Sequence, residues 1–317
     1  MTQVVVTGAA GFIGSHLVAA LAESGTHVRA IDNFDPFYPR TYKDRNVASW
    51  DRFETVEFVE SDILGCSPSE FEAPVVVHLA ARPGVRASRQ FPELYERINA
   101  HGTRHICRMT AAAGTQKLVF ASSSSVYGEI VNEADETATL SPISPYGLTK
   151  VQGEVAVHEW CESTGGQAAI LRLFSVYGPR QRPDQAFSRF ATLLAAGEPL
   201  PVLGDGTAMR DFTHVDDVVW AIRRAIDAGN PGSAEVFNIG TGKVLTIGDA
   251  IDAIAGAMGR LPEIERHEPH PLDPSRTCAK IRKAQEVLGY RPQVAIEEGI
   301  PLFVDWYTRT YGTTATR

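Results

Sequence analysis

Residue types able to move a proton on and off a hydroxyl are concentrated in one stretch. It begins Ala121-Ser122-Ser123-Ser124-Ser125-Val126-Tyr127-Gly128, continues through a polar loop, and ends Ser144-Pro145-Tyr146-Gly147-Leu148-Thr149-Lys150. Ser-Pro is a helix start, and Tyr146 and Lys150, four apart, then project from one helical face. A phenol titrates near ~10 and is a weak base at neutral pH. A cation beside it favours the phenolate and lowers that value. Ser123, Tyr146 and Lys150 together make a device for moving a proton on and off a hydroxyl.

The elements around the stretch decide whether these groups can meet. Val119 and Phe120 end an apolar run that reads as a buried parallel strand, so the serines emerge at its carboxyl end, where open α/β sheets bind ligands. Near the N-terminus, Val4-Val5-Val6 is a β-branched strand, and Gly8, Gly11 and Gly14 follow it at three-residue spacing before a helical pattern. Strand, glycine-rich turn and helix are the context of a dinucleotide fingerprint, with the helix amides facing phosphate. The next strand, His27 to Ile31, ends at Asp32. A carboxylate there accepts from adenosine ribose hydroxyls and repels a 2′-phosphate, and no Arg follows it directly, so NAD is expected over NADP. Further strands are expected at 56–59, 75–81, 117–121 and 168–174, with helices at 93–99, 101–113 and from Tyr146. Alternation on this scale predicts an α/β fold, a doubly wound parallel sheet of Rossmann type. After Tyr177-Gly178-Pro179 the texture changes, prolines and glycines are more frequent, and a helix is expected at 187–196. We therefore expect a nucleotide-binding domain of residues 1–174 plus about 216–242, interleaved with a smaller lobe of about 175–215 plus 243–317.

Composition excludes other classes. The net charge is -8, which argues against nucleic acid, whose phosphates need clustered Lys and Arg. No basic and apolar leader is visible, and no apolar run approaches a membrane span. The four cysteines (Cys66, Cys107, Cys161, Cys278) are scattered and read as reduced thiols. A cytoplasmic location is the default. His101 and His105 have a spacing that can bind zinc but lack a third ligand nearby, so no metal is expected.

With Gly8, Gly11, Gly14, Asp32, the Ser123 turn, Tyr146 and Lys150 in one chain, the sequence resembles, along its whole length, the extended short-chain dehydrogenase/reductases that act on nucleotide sugars. It is most similar to the UDP-glucuronate 4-epimerases. The matching pieces are Asp32-Asn33-Phe34 with a Tyr-rich loop, Leu79-Ala80-Ala81 running on to Gly84-Val85-Arg86, Ser122 to Gly128, Ser144 to Lys150, Val176 to Pro179 with Arg182-Pro183-Asp184, and Arg210-Asp211-Phe212. The resemblance implies Tyr146 as general acid/base, Lys150 on the nicotinamide ribose, and Ser123 beside the reacting C4 oxygen. It implies a cofactor site that includes Gly8, Gly11, Phe12, Ile13, Gly14, Asp32 and Asn33. Asp62, Ile63, Leu79, Ala80, Ala81, Asn99, Ser122, Tyr146 and Lys150 complete it. For the sugar nucleotide it implies Arg86, Ser123, Ser124, Ser125, Tyr146, Ser175, Arg182, Arg210 on the diphosphate and Asp273 on the uridine ribose. Where related dehydratases and decarboxylases carry acidic residues before Val-Tyr-Gly, this chain has Ser124 and Ser125, and hydroxyls make poor acids and bases.

The expected reaction is C4 epimerisation of UDP-glucuronic acid to UDP-galacturonic acid through a 4-keto intermediate. That intermediate is a β-keto acid, so its carboxylate must be held away from decarboxylation. Arg182 offers a bidentate fork for the purpose. An Arg facing a neutral hexose would be desolvated without a partner, which is costly. Epimerisation of UDP-glucose or UDP-N-acetylglucosamine, decarboxylation, and a non-catalytic NAD-binding regulator are the alternatives. By analogy the helices 93–113 and 146–160 pair across a two-fold axis, giving a homodimer.

Overall fold

In the computed structural model, residues 1, 3–129, 132–229, 233–269 and 273–312 are described. Leu272, which with Asp273 stands where the family the sequence resembles has a Gly-Asp pair, lies outside them, as do residues 313–317 of the 312–317 tail that reads as frayed. The chain begins with β1 (Val4–Thr7), α1 (Phe12–Glu23), β2 (Val28–Asp32), α2 (Arg40–Ala48), β3 (Val56–Glu60) and β4 (Val75–His78). The helices α3 (Val85–Gln90), α4 (Pro92–Tyr95) and α5 (Gly102–Ala113) follow, then β5 (Lys117–Ser123), α6 (Pro145–Thr164) and β6 (Gln167–Leu173). After the second lobe begins, α8 (Val215–Asp227) and β11 (Ala234–Ile239) return to the sheet. Its seven strands run in the order β11-β6-β5-β4-β1-β2-β3, all parallel.

Alternation of side chains along each strand builds two cores from one run of residues. Val4 and Val6 of β1 face a core containing Leu17 and Val18 of α1 and Val218 and Ile222 of α8. Val5 faces the opposite core, with Ile106 of α5 and Val157 and Trp160 of α6. In β5, Val119 joins the first and Leu118 and Phe120 the second. Burial on both faces is why these strands are continuously apolar.

The second lobe interleaves with the sheet. Its pieces are β7 (Ser175–Tyr177), α7 (Ala186–Ala196), β8 (Leu200–Leu203), β9 (Met209–Arg210), β10 (Phe212–His214), β12 (Leu245–Thr246), α9 (Ile247–Ala257), β13 (Ile264–His267), β14 (Arg276–Thr277), α10 (Arg282–Leu288) and α11 (Ile296–Tyr311). They share a core of Phe187, Phe190, Leu194, Ile251, Ile254, Phe303 and neighbours. Although α10 lies within residues 243–317, its Ala284 and Leu288 pack into the first core beside α8. Asp211, fully buried, locks the lobe: its carboxylate accepts the amides of Thr241 (2.8 Å), Gly242 (3.0 Å) and Ala279 (3.1 Å). Arg210 is thereby fixed at the lobe's edge.

Two local details depart from the expected elements. The helices expected at 93–99 and 101–113 are one run, Pro92–Ala113, widened by a π-turn over Glu96–His101. Such bulges re-aim side chains at functional sites, and this one carries Asn99. The Tyr-rich loop is tied to the C-terminal helix: Tyr42 packs on Tyr311 at 5.9 Å between ring centroids, and Arg45 lies over the same ring.

Candidate active site

The strand order reverses at β1, and the site opens at the carboxyl ends of β1, β2, β4 and β5, as expected at a topological switch point. Within the turn after β1, Gly8 has φ +70° and a Cβ there would lie 2.7 Å from Ala80 N. A Cβ on Gly14 would lie 2.2 Å from Gly8 O and 2.8 Å from Ala9 Cα. The turn, α1 and the Leu79-Ala80-Ala81 segment are therefore in backbone contact, which leaves the α1 amides open to the cavity. Phe12, Ile13, Leu79, Ala80 and Ala81 all line that cavity with the three glycines.

Asp32 ends β2 at the cavity wall. Its carboxylate accepts from Ala10 N (3.1 Å) and Phe34 N (2.8 Å), and is paired with Lys43 Nζ at 3.2 Å. Lys43 is only 6% exposed, and with Asn46, which donates to Ala10 O at 2.8 Å, it forms the inward face of α2. Sequence reasoning missed Lys43 because residues 34–45 read as a polar, Tyr-rich loop, whereas the structure forms the helix α2 from Arg40 to Ala48; the signal was the i, i+3 spacing of Lys43 and Asn46. Asn33 Nδ2 donates to Asp62 Oδ2 at 3.1 Å, joining the ends of β2 and β3 at the adenine-side wall, and Ile63 lines the same region.

Asn99 stands behind the wall rather than in it. Its Oδ1 accepts Arg82 N at 2.7 Å, and its Nδ2 donates to Arg82 O at 3.0 Å and Thr149 Oγ1 at 3.2 Å. It clamps the 80–83 segment to α6. Arg82 then reaches Asp35 with one guanidinium nitrogen, at 3.0 and 2.9 Å from the two carboxylate oxygens. Beneath the floor His78, buried, contacts Thr7 Oγ1 (2.8 Å) and Thr103 Oγ1 (3.1 Å); burial and the charge of Lys150 hold its imidazole down at about 3.

The proton-transfer groups converge. Ser144 caps α6 by accepting Gly147 N at 3.1 Å, and Pro145 occupies the first turn. A Cβ at Gly147 would come within 2.5 Å of Ser125 O, so this glycine lets the helix start lie directly on the serine turn. Ser123 Oγ donates to Ser125 Oγ at 3.2 Å and accepts Ser125 N at 3.1 Å, and the same hydroxyl acts on the Tyr146 phenol. The Tyr146 ring packs edge-on against Tyr95, 6.4 Å away. Lys150 Nζ lies 5.9 Å from the Tyr146 ring centroid and donates to Ala121 O at 2.8 Å. Behind it Ser122 donates to Glu154 Oε1 at 2.5 Å, and Glu154 is paired with Arg172 at 2.7 Å; both are buried.

The electrostatics differ from the sequence argument in one respect. Burial pushes the phenol above its ordinary value, and the Ser123 hydroxyl and the Arg182 charge pull it partly back. Lys150 loses affinity for its proton through burial, down to about 8, with Glu154 opposing the shift. The charge that acts on the phenol is thus that of Arg182, while Lys150 donates to the strand carbonyl.

Ser124, Ser125, Ser175 and Arg182 complete the wall next to Tyr146. The Arg182 fork, however, is already taken: Nε and one terminal nitrogen each lie 3.0 Å from an oxygen of Asp184. A neutral sugar therefore does not strand this guanidinium, and the desolvation argument against one fails. Gln185, on the same wall, was not foreseen; the buried Oε1 of its amide has no hydrogen-bond partner among the described residues. Arg86, Arg210 and Asp273 form a separate cluster beyond Val85, with Asp273 bridging Arg86 (3.1 Å) and Arg210 (2.5 Å). Where the family the sequence resembles has an Ala-Asp pair this chain has Ala279-Lys280; Ala279 N donates to Asp211 and Lys280 pairs with Asp135. Among the described residues no three potential ligands converge on a metal position.

A profile of the NAD dependent epimerase/dehydratase family matches residues 4–240. The chain belongs to this family. UDP-glucuronate 4-epimerase of Thermodesulfobacterium geofontis (strain OPF15) is 33% identical over 313 residues, 96% of each chain. UDP-glucose 4-epimerase of Mycolicibacterium smegmatis is 36% identical over 314 residues, 96% of this chain and 98% of the relative. UDP-glucuronic acid 4-epimerase from Bacillus cereus, in complex with UDP-glucuronic acid and NAD, superposes with a TM-score of 0.93 at 37% identity, covering 98% of this chain and 100% of that one. The cofactor of this epimerase/dehydratase family member is NAD, and the glycine cradle, the α1 amides and Asp32 fit its pyrophosphate and ribose.

Proposed function

We propose that this enzyme interconverts UDP-glucuronic acid and UDP-galacturonic acid by reversible oxidation at C4. The observation that carries the reading is the wall beside the Tyr146 phenol: Ser123, Ser124, Ser125 and Ser175 with the guanidinium of Arg182, and no acid at the positions where elimination would need one. The relatives named for UDP-glucuronate support it. Tyr146, as its phenolate, takes the C4 hydroxyl proton and later returns it, with Ser123 and Arg182 favouring the ionised form. Bound NAD supplies the two-electron acceptor and donor at C4. The serine hydroxyls and Arg182 hold the C5 carboxylate out of line with the C4 carbonyl, which suppresses loss of CO₂. Arg86, Arg210 and Asp273, joined by ion pairs outside the cavity lining, are assigned to the UDP end.

The test is incubation of the purified protein with UDP-glucuronate without added cofactor. The galacto-epimer should form without UDP-pentose or CO₂. Turnover confined to UDP-glucose would end the reading. That second substrate is favoured by one observation, the self-contained Arg182–Asp184 pair, which lets a neutral hexose enter without stranding a charge.

We further infer a homodimer and a cytoplasmic location. Leu148 and Val155 on α6, and Phe91 between α3 and α4, expose half or more of their surface, and such apolar exposure favours pairing with a second copy. Val155→Glu should convert the dimer to a monomer in sedimentation velocity; a wild-type chain that sediments as a monomer contradicts the pairing. All four cysteines are free and buried, the state kept in a reducing compartment. Among the described residues no helix is long and apolar enough to cross a membrane.

A further inference from the structure

The Arg182 fork points at an acid of its own chain because a turn makes it do so. Arg182-Pro183-Asp184-Gln185 is closed by Gln185 N donating to Arg182 O at 3.1 Å. Proline at the second position of such a turn pre-sets its φ, and Asp at the third fits the same geometry. The turn brings the Asp184 carboxylate back onto the guanidinium two residues before it, in parallel contacts of 3.0 Å each. The two partners are unequally placed. Arg182 is 17% exposed and lines the cavity with Ser123 and Tyr146, whereas Asp184 is 34% exposed and stands outside the lining. The fork is therefore held toward the rim by a carboxylate of the same chemistry as the one a uronate would offer.

We propose that Asp184 is a specificity-determining residue, an internal carboxylate that occupies Arg182 until the carboxylate of the sugar displaces it. The proposal rests on the uronate reading above and deepens it. A carboxylated sugar exchanges one bidentate pair for another, so its gain from Arg182 is the difference between two similar contacts rather than the whole of one. A neutral sugar leaves the internal pair closed. Arg182 is also close enough for its charge to act on the Tyr146 phenol, and with either carboxylate the guanidinium near the proton-transfer group stays paired.

The proposal predicts a gain of affinity from a loss of charge. Asp184→Asn keeps a residue suited to the turn and removes the competing anion. A pair this exposed contributes little, so UDP-glucuronate should bind roughly threefold to tenfold more tightly in calorimetry on the NAD-containing enzyme. Binding of UDP-glucose should stay within about twofold. In an Arg182→Ala background the same substitution should give no gain, since the group competed for is gone. Unchanged or weaker binding of UDP-glucuronate, equal tightening of both sugars, or a gain that persists without Arg182 would each overturn the role of Asp184. Asp184→Ser serves the same comparison if the Asn variant fails to retain NAD. If the wild-type enzyme neither binds nor epimerises UDP-glucuronate, both this role and the functional reading fall. If it does both and Asp184→Asn brings no gain, only the role of Asp184 falls.

Discussion

Tyr146→Phe should reduce epimerisation of UDP-glucuronate by roughly 10²–10⁴-fold, the usual contribution of a positioned acid–base group, while NAD stays bound. The substitution removes one oxygen from a site that is otherwise complete. The ring keeps its edge-on contact with Tyr95, 6.4 Å away, and the helix start is secured by Ser144, Pro145 and Gly147 rather than by the phenol. What disappears is the oxygen on which Ser123 and Arg182 act, and no other described side chain of the lining is placed to replace it: Ser123 is an alcohol, and Lys150 donates to Ala121 O. Because burial holds the phenol above its ordinary value, with Ser123 and Arg182 opposing, the oxygen depends on its neighbours to reach the ionised form. Initial rates with the NAD-containing variant decide the matter, together with nicotinamide absorbance on adding substrate. A rate within tenfold of wild type would remove Tyr146 from the chemistry.

Gly14→Ala should yield a chain that purifies without NAD and has no measurable turnover. The new methyl would sit 2.2 Å from Gly8 O and 2.8 Å from both Ala9 Cα and Ala9 O. All three are backbone atoms of the phosphate-binding turn, so no side-chain rotation relieves the clash. Relief requires moving α1 off the turn, and the helix amides move with it. Overpacking costs typically 1–3 kcal/mol, and here the displaced part is the cofactor cradle itself. Gly256 in α9 supplies the control, since a methyl there meets nothing within 4 Å and Gly256→Ala should be neutral or slightly stabilising. Absorbance of the purified variant near the NAD band, with thermal melting, reads the result. A variant that retains full NAD and activity would show that the cradle tolerates what the geometry forbids.

Much of this was legible before the fold. The β-branched runs of β1, β4 and β5 must be buried on both faces, which implies a parallel sheet with helices on each side. Gly8, Gly11 and Gly14 in a strand-to-helix turn imply close backbone contacts. Tyr146 and Lys150 share a helix face because the α-helical repeat puts them there. These are short-range consequences, set by residues within a few turns of each other. The Tyr146 surroundings were less legible. Periodicity brings an ammonium near the ring but does not say that Ala121 O takes its proton, or that a guanidinium thirty-six residues later is the cation acting on the phenol.

The amino-acid sequence by itself determined the sheet, the dinucleotide turn and the acid–base pair, because each follows from local periodicity, backbone freedom or side-chain chemistry. Tertiary structure alone decided the partners of the charges. Lys43 turns inward to Asp32, Glu154 is buried with Arg172, and Arg86 and Arg210 meet at Asp273 from positions far apart in the chain. Arg182 spends its fork on Asp184 although the two are nearly adjacent, because only the folded turn fixes where that carboxylate points. The physical reason is common to all four. A charged side chain is long, flexible and without periodicity of its own, so its partner is chosen by where the packed backbone leaves an opposite charge within reach.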